Sequence, residues 1–156
     1  MNDFHKLSSK LTLFAKDLQN PTNSQASKIA SSCAILILRE LAYRTPVDTS
    51  KAISNWRITL GRRAKNATLD PHIVGKAGSS KFESAEITIS KGIVKLKDKK
   101  AGQKIYISNT LDYIDDLDYG KSMQNSQFVK QSIEVALFKV KRLKQNPNDS
   151  RKLAVV

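Results

Sequence analysis

The run CAILIL, residues 33 to 38, lies inside a stretch with helical spacing and leaves that helix apolar on nearly all sides. A helix of this kind has no stripe to turn toward water, so the rest of the chain must pack around it. Ser24 is placed to cap it, it runs to about Tyr43, and Thr45-Pro46 ends it, because the residue before a proline is disfavoured in helical geometry. Cys33, the single cysteine, has no partner for an intramolecular disulfide and reads as a buried thiol.

Two further segments have helical spacing. Phe4, Leu7, Leu11, Phe14 and Leu18 recur at three- and four-residue steps, which predicts an amphipathic helix over about 2–19, broken by Asn20-Pro21-Thr22-Asn23. Val129, Ile133, Ala136, Leu137, Val140 and Leu143 predict a last helix from Ser126, a plausible cap, to Lys144. Between them the pattern turns strand-like. WRITL (56–60), EITIS (86–90), GIVKLK (92–97) and KIYIS (104–108) are short, rich in β-branched residues and partly alternating. Ser90-Lys91-Gly92 and the run from Lys97 to Gly102 read as hairpin connections, and residues 61–85 as a long loop. The expectation is an α+β fold: a small antiparallel sheet of three to four strands packed against N-terminal and C-terminal helices. A chain of 156 residues suits one domain, assigned to 1–144, with 145–156 as a tail that is flexible or docked on a neighbouring subunit.

The formal net charge is +13, and its distribution is uneven: residues 51–104 carry +9, and each flank carries +2. A basic segment between near-neutral ones points to a polyanion or an acidic protein partner. The candidate contacts are Arg62, Arg63, Lys65, Lys76, Lys81, Lys97, Lys99 and Lys100. Residues 57–104 hold a single aromatic, Phe82, and no helix-turn-helix pattern, so contact with DNA would be to phosphates and indifferent to sequence. No apolar run approaches bilayer-spanning length, and MNDFHKLSSK lacks the features of a secretory signal; neither a membrane nor a signal-peptide route is expected.

Catalytic chemistry finds little material. His5 and His72 are far apart in the chain, one cysteine and two histidines lack zinc-ligand spacing, and there is no GxSxG or glycine-rich phosphate loop. The cluster Asp112, Asp115, Asp116 and Asp118 has the wrong order for an EF-hand; a metal-dependent nuclease stays open beside a solvated or salt-bridged turn. No enzyme activity and no cofactor are expected.

The segment TPVDTSKAISNW (45–56) ends the apolar helix with a turn and holds the only tryptophan, and IYISNTLDYIDDLDYGKS follows later. Pro46 redirects the chain, Asp48 or Thr49 is placed to cap a short helical turn, and Trp56 is then aimed at the core. Together these segments resemble the bacteriophage tail-completion or neck protein family, to which minor tail protein Z belongs. Thr45, Pro46, Val47, Asp48, Thr49 and Trp56 match its first motif, and Asn109, Tyr113, Tyr119 and Gly120 its second. Ser50 stands where that family has glycine, Asn55 where it has serine, Ile114 for alanine and Asp118 for glutamate. The resemblance implies a non-enzymatic virion component at the head-tail junction, assembled in the host cytoplasm. It would form a homo-oligomeric ring, hexamer or dodecamer, around the DNA channel and contact other neck and tail proteins. A free-standing, sequence-nonspecific nucleic-acid-binding protein is the alternative.

Overall fold

A computed structural model of the chain describes residues 23–65, 67–74, 78–121 and 125–145. The amphipathic segment expected over 2–19, Lys76 and the tail beyond 145 lie outside the described residues. Helix α1, Asn23–Arg44, contains the CAILIL run and already includes Ser24. At its end the Thr45 amide and hydroxyl both donate to the Leu41 carbonyl, at 2.9 and 2.6 Å, and Pro46 follows with no amide hydrogen to continue the ladder.

The remaining elements are α2 (Lys51–Ser54), β1 (Arg57–Leu60), α3 (Lys81–Lys97), β2 (Ile105–Ser108), α4 (Ile114–Asp116), which widens into a π turn over Leu117–Lys121, and α5 (Phe128–Gln145). Both long helices run antiparallel to α1. On the α5 side, Arg44 Nη1 donates to Gln131 Oε1 at 3.3 Å and Lys139 Nζ reaches Glu40 at 2.5 Å. On the α3 side, Tyr43 stacks at a tilt on Phe82, Leu38 meets Gly92, and Ser27 accepts a bond from Lys99. The sheet has two antiparallel strands, with Ile58 opposite Ile107 and Leu60 opposite Ile105, and these four side chains pack on the cluster around α1. That cluster joins Cys33, Ile37, Leu38 and Leu41 to Trp56, Phe128, Ile133 and Val140; a second joins Ala42, Val47, Ile53, Ala85 and Ile89. Cys33 is buried as expected, and desolvation pushes its thiol up to about 11.

The expected sheet of three to four strands is not what forms. EITIS and GIVKLK belong to α3, and Ser90-Lys91-Gly92 lies in its middle instead of turning a hairpin. The buried positions of α3 are Ser84, Ala85, Thr88, Ile89, Gly92 and Leu96, a helical stripe written mostly in small residues. A period carried by Ser, Ala, Thr and Gly is invisible to a count of large apolar side chains, whereas the alternating isoleucines imitate a strand. The small residues let α3 lie close to its neighbours. A Cβ on Gly92 would stand 2.3 Å from Leu38 Cδ2 and 3.2 Å from Ile58 Cδ1.

Two outcomes follow from this packing. Gly92→Ala gains about 1 kcal/mol of helix propensity, but it must displace two buried neighbours at once, an overpacking cost of about 1–3 kcal/mol. A net loss of about 1 kcal/mol in urea unfolding is expected, and a gain in stability would mean that Leu38 can turn aside freely. The second outcome concerns pH. Burial raises the pKa of Glu40, but hydrogen bonds from Lys139 and Arg44 outweigh it and leave the carboxyl below its usual range. A depressed carboxylate contributes stability above its unfolded pKa and loses it as pH falls through the folded one. Glu40→Gln should therefore cost about 1 kcal/mol at neutral pH. Its deficit should shrink to nothing in acid, as read from thermal unfolding across pH.

Candidate functional site

The turn from Thr45 to Trp56 is a polar hub between the two apolar clusters. Trp56 Nε1 donates to Thr45 Oγ1 at 2.8 Å, and that hydroxyl donates onward to the Leu41 carbonyl, so a fully buried threonine ties the tryptophan to the last turn of α1. Trp56 joins the α1 cluster, while Ile53 and Val47 from the same turn join the second cluster, so the corner links both cores. Pro46 and Val47 are buried, and Asp48 and Thr49 are exposed. Neither Asp48 nor Thr49 caps α2. The cap position is Ser50, in the left-handed conformation at φ 62, and its hydroxyl makes no capping bond but meets Ser80 Oγ at 2.6 Å.

Sequence reasoning missed what the small polar residues of this corner do. Asn55 is fully buried and behaves like a strand residue paired with Leu69: its Nδ2 donates to the Leu69 carbonyl at 2.8 Å and its Oδ1 accepts the Leu69 amide at 2.7 Å. Ser54 Oγ accepts the His72 amide at 2.9 Å, the Gly78 amide donates to the Asp48 carbonyl at 3.1 Å, and Thr88 Oγ1 donates to the Ile53 carbonyl at 3.2 Å. The loop after β1 is thus stitched back along the corner. The sequence signal was the dense Ser/Thr/Asn content of 45–55, which hydropathy counts pass over.

The second motif closes on the same corner. Asn109 Nδ2 donates to the Ala52 carbonyl at 2.8 Å, and its Oδ1 accepts the Leu111 amide at 3.2 Å. Tyr113 and Leu117 face residues 46–52 across a cleft of about 390 Å³. Tyr119 is exposed, and Gly120 takes φ 96, a left-handed value suited to glycine. Of the aspartates, Asp116 pairs with Lys121 Nζ at 2.6 Å. Asp118, not Ser126, caps α5: its Oδ1 accepts the Val129 amide at 2.9 Å, and Gln127 before the helix sits at φ 55. Burial raises the Asp118 carboxyl against the opposing pull of the Val129 and Phe128 amides. Among the described residues no three His, Cys, Asp or Glu side chains converge as a metal site, and no helix is long and apolar enough to cross a membrane. His72 is pushed toward its neutral form by burial and by Lys91, whose Nζ lies 3.3 Å from its Nδ1.

The antiparallel packing sorts the basic candidates. The start of α1 and the ends of α3, α5 and β1 lie at the same end of the molecule. Arg62 and Arg63 follow β1 there and are exposed; the preceding Gly61 donates its amide to the Lys104 carbonyl at 2.8 Å. Lys97 ends α3 and, like Lys100, is exposed, while Lys99 Nζ is held by Ser27 Oγ at 2.7 Å and the Lys100 carbonyl at 3.2 Å. Lys28 on α1 and Lys141 and Arg142 on α5 extend the same end. Asp98 stands among them, 3.8 Å from Lys95 Nζ. Lys65 lies on the loop returning along β1, and Lys81 begins α3 at the far end, beside the corner, so those two do not join the group. Asp112, Asp115 and Asp116 lie toward the corner end, where Lys51, Lys81 and Lys121 accompany them, so that end is mixed in charge. Exposed ammonium and guanidinium groups in such number can engage phosphate or carboxylate oxygens without reading a base edge. Compared with known proteins, the chain matches no family profile, no curated protein and no solved structure.

Because Trp56 is the sole tryptophan, its fluorescence reports the hub directly. Thr45→Val keeps the shape but leaves the buried indole N–H without an acceptor, an expected loss of about 2 kcal/mol with a shifted emission maximum. Thr45→Ser keeps the hydroxyl and should lose about 1 kcal/mol or less with the native emission retained. Equal losses in the two variants would show that the hydroxyl contributes nothing.

Proposed function

We propose that this chain is a structural, non-enzymatic component of a phage head-tail junction that assembles as a ring of identical copies around the DNA channel. The observation that carries the reading is the basic end, where exposed cations from four separate elements gather toward one end of the helical frame. Such a surface suits DNA in passage or an acidic neighbouring protein, since it attracts a polyanion without binding one sequence. The corner supports the same reading. Position 50 adopts the left-handed conformation that the neck-protein pattern meets with glycine, and Ser50 reaches it here while keeping a buried bond to Ser80. Asn109, from the second motif, is bonded to the carbonyl of Ala52 within the first.

The test is charge reversal in the phage. Arg62→Glu, Arg63→Glu, Lys97→Glu and Lys100→Glu together spare Lys99, whose ammonium also holds α1. Particles should fail to join heads to tails or should lose DNA, while the isolated variant keeps its unfolding free energy to within about 1 kcal/mol. Undiminished infectivity would remove the proposal. Steeply salt-dependent duplex binding by a wild-type monomer that never forms rings would favour a free-standing nucleic-acid-binding protein instead.

A further inference from the structure

Helices α3 and α5 pack on α1 from opposite sides. Leu38 meets Gly92 of α3, Glu40 meets Lys139 of α5, and two residues along a helix turn about 200° around it. Both run antiparallel to α1, so they lie parallel to each other at the two edges of a three-helix layer, and each turns an apolar face outward. On α3 this face is Ile87 and Val94, one helical repeat apart in a shallow depression of about 460 Å³ lined mainly by carbon. On α5 it is Phe138, with half-buried Val135 one turn before it. Val94 and Phe138 are each 61% exposed. Surface helices usually keep such positions polar, and two apolar faces pointing in opposite directions suit a head-to-tail contact between copies.

Closure fixes the register of such a contact. A closed ring has no rise from copy to copy, so with α1 along its axis, equal levels of α3 and α5 meet. Arg44 and Glu40 reach Gln131 and Lys139, while Tyr43 and Leu38 reach Glu86 and Gly92. These contacts put Phe138 level with about residue 90 of α3, between Ile87 and Val94. In a parallel pair of helices, opposite flanks face each other across the seam. Glu134 and Lys141, on one side of Phe138, then face Lys91 and Asp98 on the matching side of the Ile87–Val94 line, and both pairs attract. Lys97 and Arg142 are like charges in this register, but both are exposed to solvent and screened. A two-fold contact of α3 with itself would instead set Lys91 and Lys95 against their own copies. We propose that the outward face of α3 docks on the outward face of α5 of the next copy, with Phe138 seated between Ile87 and Val94. The contact rests on the ring reading and deepens it, because a contact repeated in one sense turns every basic end to the same face of the ring.

The experiment uses the purified full chain, its mass followed by light scattering across concentration. Phe138→Asp changes an exposed side chain, so Trp56 emission should stay native while the concentration at half-assembly rises about tenfold or more. Lys91→Glu and Glu134→Lys should each raise it about threefold, and the two together should restore it. Such a rescue acts between copies, because the two residues lie on opposite sides of one molecule. In Ser90→Cys with Val135→Cys, a short bismaleimide should yield a ladder of linked copies, Cys33 being buried. Rings that persist undiminished in Phe138→Asp, or that give no ladder, would overturn this contact and leave the ring reading standing. A wild-type chain that stays monomeric at every concentration would overturn both.

Discussion

The hydrogen-bond chain from Trp56 through Thr45 to Leu41 is the constraint on which the other contacts depend. The CAILIL run offers apolar surface in several directions, and hydrophobic burial alone does not say how it is covered. A directional bond at its end does. The Thr45 hydroxyl fixes where the tryptophan enters the interior, β1 starts at the next residue, and with β1 the partner strand β2 is placed. The same corner holds Val47 and Ile53 in the second core, so one turn sets the relation between α1, α3 and the sheet. A fully buried hydroxyl would be a liability if unpaired, and here it is paired on both sides.

Much of this was legible in the sequence because large apolar side chains carried it. The burial of α1, its end before Pro46, the last helix, and the strands around Ile58 and Ile107 all follow from hydropathy and one proline. The middle of the chain misled for a physical reason. α3 packs through Ser84, Ala85, Thr88 and Gly92, and its isoleucines fall at strand-like spacing, so composition spoke for a hairpin while the close approach to Leu38 and Ile58 required a helix with no side chain at one point. A glycine in a β-branched run can mark a crossing as readily as a turn.

The corner was legible as a structural feature, but its wiring was not. Ser50, Ser54, Asn55 and Thr88 are buried polar groups whose partners lie 14 to 35 residues away, on a loop and a helix that local pattern cannot bring near. Asn55 is the clearest instance, since its side-chain amide substitutes for a peptide group and gives Leu69 the pairing that a third strand would have supplied. The basic candidates divide for a related reason. Chain proximity groups Lys81 with Lys97, yet the length of α3 separates them and joins Lys97 instead to Arg62, Arg63 and the end of α5.

The basic end has a consequence for how the molecule meets any charged surface. With exposed cations gathered at one end and acids and bases mixed at the other, the centre of the protein's positive charge is displaced along α1. A polyanion exerts a torque on such a body before contact and turns the basic end foremost, so encounters are aligned at distances set by the screening length. Flipping it end for end would present the mixed end to phosphate instead. The polarity therefore works as an orientation code: it selects which way up the protein arrives before any side chain has touched its partner.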